Sequence, residues 1–212
     1  MRLRHVKNIE EKIKEFSDII IQNPEDNKGK WNKIFGNNNP IFLEIGTGKG
    51  KFIISNAINN PNINFIGCEL NSSIIYKAAK SINKKLDNLL FINYDALLLS
   101  NVFELGEISK IYLNFSDPWP KARHEKRRLT GDSFINVYRN ILNSDKIIEF
   151  KTDNRQLCEY SIMKFNELHI KILELSLDLH HDNRYENIIT TEYEEKFIQE
   201  NKIIYFMKVS LE

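Results

Sequence analysis

The stretch Pro40-Ile41-Phe42-Leu43-Glu44-Ile45-Gly46-Thr47-Gly48-Lys49-Gly50 decides how the rest of this chain is read. The apolar run over 40–45, short and bounded by a proline and by glycines, predicts a strand buried on both faces. The glycines allow a tight turn and a close backbone approach to a ligand. Residues 51–59 fit a helix. The glycine spacing is GxGxG, which differs from the dinucleotide GxGxxG and lacks the four residues between glycines that a P-loop needs. Taken alone, the loop reads as either a ligand turn or a structural one. A second strand over 64–68 ends at Glu69, where a carboxylate can bond the two hydroxyls of a ribose. With that acid in place, the loop reads as a nucleoside-cofactor site.

Working outward, strands and helices alternate. A helix is expected over 8–22, where Ile9, Ile13, Phe16 and Ile20 fall at helical spacing. A loop follows over 23–31. A helix at 71–86, capped by Asn71 or Ser72, precedes strands at 89–92 and 110–115. A charged loop over 121–130 leads to a helix at 132–142, a strand at 146–150 and a helix at 154–168. Residues 170–179 alternate apolar and polar like a half-exposed strand, and 203–209 form one more. The expectation is an α/β fold, a Rossmann-like parallel sheet with helices on both faces. With no helical segment expected between the last two strands, they form an antiparallel C-terminal edge. The chain reads as a single domain, 1–212, with residues 1–35 as a helical extension packed on or near it.

Composition bounds the function. Among 212 residues, 42% are hydrophobic, enough for a core, and 30 Lys+Arg against 29 Asp+Glu leave a net charge of +1. A globally basic nucleic-acid coat is excluded, so any polyanion site must be local. The two cysteines, Cys68 and Cys158, build no disulfide scaffold. Glu10 and Glu11 fall where a signal peptide needs apolar residues, and no run could span a bilayer. The expectation is a soluble cytoplasmic protein with no membrane partner. The five histidines show no metal spacing, so no metal is expected.

Asn114-Phe115-Ser116-Asp117-Pro118-Trp119-Pro120 follows the fourth strand, at the sheet end where α/β proteins bind ligands. Its prolines fix Asp117 and Trp119 in a rigid turn. Asp117 could accept from guanine N1–H and N2–H₂, and Trp119 could stack on a base; a turn whose Trp packs the core is the competing reading. Lys121-Ala122-Arg123-His124-Glu125-Lys126-Arg127-Arg128 carries five cations against one glutamate. Such a run is usually a solvated face, but here it borders the site, where a phosphate backbone would enter. Arg2, Arg4 and Lys7 could add a second arm.

The glycine loop paired with Glu69 resembles the class I S-adenosylmethionine-dependent methyltransferases. That resemblance implies Glu44 near the methionine moiety, loop contacts at Gly46, Gly48 and Gly50, Glu69 on the ribose, and Asp95 near the adenine amine; a plain strand-end turn at Asp95 stays open. More specifically, GKW (29–31), EIGTGKG (44–50), NFSDPWPKARHEKRRL (114–129), FKTDN (150–154) and TEYEEKF (191–197) resemble, in family order, the bacterial single-chain tRNA (guanine-N7)-methyltransferases. The resemblance implies S-adenosyl-L-methionine as cofactor and tRNA as partner, with a guanine of the variable loop methylated. It also implies Asp117 as catalytic and cofactor-binding, and substrate contacts at Lys121, Asp153, Thr191, Glu192, Tyr193 and Glu194. RNA contacts would come from Arg123, His124, Lys126, Arg127 and Arg128. No obligatory protein partner is implied; the chain would be a monomer or homodimer. Three rivals differ in one feature each: an adenine amino methyltransferase with a (D/N)PPY-type motif at the same strand end, an NAD(P)-dependent oxidoreductase sharing the logic of Glu69, and a non-catalytic RNA-binding module on this fold.

Overall fold

The computed structural model describes residues 6–186 and 188–212. Its centre is an eight-stranded sheet in the order β1-β4-β3-β2-β5-β6-β8-β7. The strands are β1 (Ile20–Ile21), β2 (Ile41–Ile45), β3 (Asn64–Cys68), β4 (Leu89–Ile92), β5 (Ile108–Asn114), β6 (Leu142–Thr152), β7 (Lys171–Ser176) and β8 (Tyr205–Ser210). The helices are α1 (Ile9–Lys14), α2 (Trp31–Phe35), α3 (Lys51–Asn59), α4 (Ser72–Lys80), α5 (Asp132–Ile141), α6 (Arg155–Glu167) and α7 (Glu192–Gln199). No helix among the described residues is long and apolar enough to cross a membrane.

The two-residue period of the strands sorts their side chains onto two covered faces. Ile41, Leu43 and Ile45 of β2 join Ile66, Leu90, Ile111, Leu113, Ile148 and Phe150 in one core, closed by α5, α6 and Trp31 of α2. Phe65, Leu89, Phe91 and Tyr112 point the other way, against Phe52 and Ile53 of α3 and Ile75, Ala78 and Ala79 of α4. Strands β2 to β6 run parallel. From β2 the chain first builds toward β3 and β4, then crosses to β5 and β6. The switch point, and with it the crevice for a ligand, therefore lies at the carboxyl ends of β2 and β5.

Four expectations change. The helix over 8–22 stops at Lys14; Ile20 and Ile21 instead pair in parallel with Phe91 and Ile92 of β4. Three consecutive isoleucines, 19–21, suit a strand better than a helix, and the Ile19 carbonyl accepts from Phe91 N at 2.8 Å. The loop over 23–31 contains a 3₁₀ turn, Pro24–Asn27, and delivers Trp31 fully buried, its Nε1 donating to the Val102 carbonyl at 3.0 Å. Helix α4 is capped by Asn71, whose Oδ1 accepts from Ser73 N and Ile74 N, but ends at Lys80 rather than at 86. Finally, α7 stands between the last two strands. They pair antiparallel, as expected, but β8 inserts between β6 and β7, so β7 is the edge.

Candidate active site

The glycine loop turns over the carboxyl end of β2. Gly46 and Gly48 hold φ of 77° and 57°, and a Cβ at either would meet nothing within 4 Å. The space above them is open, and only glycine takes this backbone without strain. Gly46 N and Thr47 N donate to the Cys68 carbonyl at 2.8 and 3.1 Å, binding the loop to the end of β3. Glu69, next in the chain, accepts from Gly48 N at 3.2 Å and Asn71 N at 2.9 Å. Burial pushes its carboxyl up, and the backbone N–H groups of Asn71, Gly48 and Leu70 pull it part of the way back. The charge of Asp117 adds a smaller upward push.

Glu44 lies beneath the loop, 2% exposed. Its Oε2 accepts from Thr47 Oγ1 at 2.6 Å and its Oε1 from Asn114 Nδ2 at 2.8 Å, so the acid spans β2 and β5 at the switch point. Burial raises its pKa from 4.5 to about 7, against the opposing pull of Thr47, Asn114 and the Lys151 charge. Asp95 caps the 3₁₀ turn Ala96–Asn101, accepting from Leu97 N at 2.9 Å. Asn93 Nδ2 ties the ends of β4 and β3 by donating to the carbonyls of Glu69 (2.7 Å) and Leu70 (2.9 Å).

Trp119 in the SDPWP turn holds a positive φ of 41°, and Phe115 just before the turn one of 50°. Such backbone costs on the order of 1–3 kcal/mol per residue and persists only where the surroundings impose it. Arg128 imposes it here: its Nε and Nη2 donate to the Trp119 carbonyl at 3.3 and 3.0 Å, and Nε also reaches the Pro118 carbonyl at 3.2 Å. The Arg127 guanidinium stacks 4.7 Å over the Trp119 ring, and His124 meets that ring edge-on at 5.6 Å. Three of the five residues expected to contact RNA thus pack on the turn that carries Asp117. Arg123 and Lys126 are exposed and make no hydrogen bond among the described residues; Asp117 and Lys121 are exposed as well. Trp119 is half-buried in the turn rather than part of the core.

Thr191 to Glu194 open α7 through a capping box. Thr191 Oγ1 accepts from Glu194 N at 2.9 Å, and Glu194 Oε2 from Thr191 N at 3.2 Å. Glu192 pairs with Lys49 of the glycine loop at 2.7 Å, and Glu195 with Lys51. These pairs set the glycine loop and the start of α3 against the Thr191–Glu195 segment. Tyr193 is 65% exposed, its ring beside Phe197, which in turn packs on Phe115. Glu194 has no exposure: it faces Lys151 and His180 inside the protein, not the crevice. Asp153 is half-buried just beyond β6, before Asn154 caps α6. The adjacent His180 and His181 lie in a 3₁₀ turn and reach apart, to Glu194 and Asp178.

Sequence reasoning missed Thr47, Asn114, Asn93, Lys49 and Lys151. Asn114 carried a signal, a polar residue at the buried end of an apolar strand. Lys49 carried none, since a lysine in a glycine loop reads as solvated.

Comparison with known proteins now bears on this geometry. A family model described as "Putative methyltransferase" matches residues 38–207. A tRNA (guanine-N(7)-)-methyltransferase of Listeria innocua is 48% identical, over 100% of this chain and 99% of its own length. One of Bacillus subtilis is 49% identical, over 99% and 98%. The chain belongs to the tRNA (guanine-N7)-methyltransferase family. As a member it is an enzyme, and its fold is that of the class I methyltransferases. A solved "antibiotic related Methyltransferase" superposes with a TM-score of 0.63 at 21% identity, covering 86% of this chain and 92% of that one. A 16S rRNA (adenine(1408)-N(1))-methyltransferase from Catenulisporales acidiphilia, solved with cosubstrate SAM, gives 0.60 at 10% identity, covering 86% and 89%. At these identities the likeness concerns the fold alone.

Proposed function

We propose that this methyltransferase transfers the methyl group of S-adenosylmethionine to N7 of a guanine in the tRNA variable loop, giving 7-methylguanosine. The observation that carries this reading is the Lys49–Glu192 pair, which sets the glycine loop against the Thr191–Glu194 segment, while Phe197 of the same helix packs on Phe115 just before the Asp117 turn. The donor set fits the cofactor: open space over Gly46 and Gly48, the Glu69 carboxylate at the end of β3, and Glu44 as an acid for a cationic methionine end. Asp95, at the end of β4, suits the adenine amine. When bound, S-adenosylmethionine supplies a methyl group on a sulfonium whose leaving thioether is neutral.

Guanine N7 offers an in-plane lone pair and carries no proton, so the chain needs no general base. Its residues hold the ring in line and place negative charge near a product that becomes cationic. Asp117, Asp153 and Glu192 give the crevice that character, and Tyr193 offers a ring face beside it. N7 lies on the major-groove edge, which in A-form RNA is too deep and narrow for side chains to read. The target must therefore be a loop guanine or one drawn from its stack. Arg123 and Lys126 meet the phosphates and Lys121 contacts the substrate, while His124, Arg127 and Arg128 also shape the turn. The chain acts in the cytoplasm as one unit.

The test is transfer of labelled methyl to unmodified tRNA, followed by nucleoside analysis. Label in 7-methylguanosine of the variable loop is expected. N6-methyladenosine without 7-methylguanosine, or tRNA binding with no transfer in a single turnover, overturns the reading.

A further inference from the structure

Lys151 is a buried cation that the chemistry above does not use. It is 4% exposed, near the end of β6, two residues before Asp153. Its Nζ donates to both carboxylate oxygens of Glu194, at 3.1 and 3.2 Å, and to the Ile189 carbonyl at 3.3 Å. His180 Nε2 lies 3.0 Å from the same Glu194 carboxylate. The Lys151 carbonyl accepts from Phe115 N at 2.9 Å, extending the β5–β6 ladder to the residue just before the SDPWP turn. One residue therefore holds the approach to the Asp117 turn through its backbone and the Thr191–Glu194 segment through its side chain.

Apolar packing reaches α7 through Phe197, which meets Phe115 and the Leu179, Ile204 and Phe206 cluster. A cavity of about 330 Å³ lies beside Lys151, lined on its charged side by Glu149, Glu174 and Lys208 and closed by Ile188 and Ile189, the stretch that leads into the segment. Lys151 links the sheet to this stretch through the Glu194 carboxylate and the Ile189 carbonyl. On the crevice side, the Lys49–Glu192 and Lys51–Glu195 pairs are substantially exposed, so solvent and salt weaken them.

We propose that Lys151 is a positioning residue for the methyl acceptor: paired with Glu194, it fixes the Thr191–Tyr193 segment against the Asp117 turn, so that the guanine is held in line for attack. This inference rests on the proposed function for its activity readout. Misalignment by a fraction of the reacting distance costs rate far more than affinity, while tRNA affinity depends mainly on phosphate contacts elsewhere.

The test compares K151M, K151R and the double variant K151M/E194Q. K151M alone leaves the Glu194 charge buried and unpaired, so it is expected to unfold at lower denaturant. The double variant removes both charges at similar volume and keeps the experiment decisive. It is expected to fold, to bind S-adenosylmethionine and tRNA within about threefold of wild type, and to lose roughly 100-fold in single-turnover transfer at saturating tRNA. K151R, which restores the pair, is expected to recover most of that rate. Hydrogen exchange of amides 188–196 is expected to quicken in the double variant, with amides 44–50 unchanged. A wild-type rate in the double variant, or a rate loss matched by an equal loss of cofactor binding, overturns the positioning role. If wild type itself methylates no tRNA, the proposed function has failed, and exchange at 188–196 alone decides Lys151: no change refutes it.

Discussion

Replacing Glu44 by Gln should make this protein more stable at alkaline pH and a worse binder of its cofactor. Glu44 is buried, and its pKa rises from 4.5 to about 7 on folding. Between those values the folded state holds the proton more tightly than the unfolded state. Stability is therefore fully present below 4.5 and is lost as pH rises through about 7. At about 1.4 kcal/mol per pH unit, ionised Glu44 costs about 3 kcal/mol above pH 7. Gln has nearly the shape of the protonated acid. Its Oε1 can accept from Asn114 Nδ2 and its Nε2 can donate to Thr47 Oγ1, keeping both bonds that Glu44 makes now. The assay is chemical denaturation of wild type and E44Q at pH 5 and pH 8.5. All other titrating groups are shared, so the difference between the two proteins isolates Glu44. E44Q should gain about 3 kcal/mol relative to wild type between the two pH values. In parallel, wild-type affinity for S-adenosylmethionine should climb through pH 7 as the acid ionises, whereas that of E44Q should stay low and flat. A stability difference unchanged with pH would refute the reasoning.

Other outcomes follow from the same geometry. D117A should lower methyl transfer by at least ~100-fold while leaving the melting temperature near wild type, because Asp117 is exposed; near-normal turnover counts against its role. E69A should weaken cofactor binding roughly 10- to 100-fold, the worth of charged hydrogen bonds to a ribose, measured by calorimetry; a loss confined to tRNA binding would show the acid to be misassigned. R123A/K126A should weaken tRNA binding and flatten its salt dependence by about 0.7–0.9 per lost phosphate contact. R128A should in addition cut transfer at saturating tRNA, because Arg128 holds the Pro118 and Trp119 carbonyls; equal effects from both variants would remove Arg128 from the support of the turn.

The parallel half of the sheet was legible because its strands are short apolar runs ended by glycines or acids, a signal confined to neighbouring residues. The Asn71 cap was legible for the same reason. What escaped depended on partners distant in sequence. Ile9, Ile13, Phe16 and Ile20 keep helical spacing, yet Ile20 answers to the free edge of β4. Helix α7 carries a local start signal in the Thr191 and Glu194 capping box, but TEYEEKFIQ has little apolar content, and three of its glutamates answer to lysines distant in sequence. Glu194 was expected to contact the substrate, but its burial is decided by Lys151, 43 residues away. In the basic run, sequence gave the charge but not its division: Arg127 and Arg128 engage the Trp119 turn, while Arg123 and Lys126 stay exposed.

The insertion of β8 between β6 and β7 has a consequence for synthesis on the ribosome. Strand β8 pairs with Lys151 and Thr152 on one side and with β7 on the other. Until Tyr205–Ser210 has left the exit tunnel, β7 has no neighbour, and the strand leading to Asp153 has an open flank. Nascent chains would therefore carry a ready glycine loop and an unfinished acceptor side, with unpaired strand edges exposed to wrong partners. Premature termination before Tyr205 would yield chains with β2 to β6 in place but no partner for β7 or for the free side of β6.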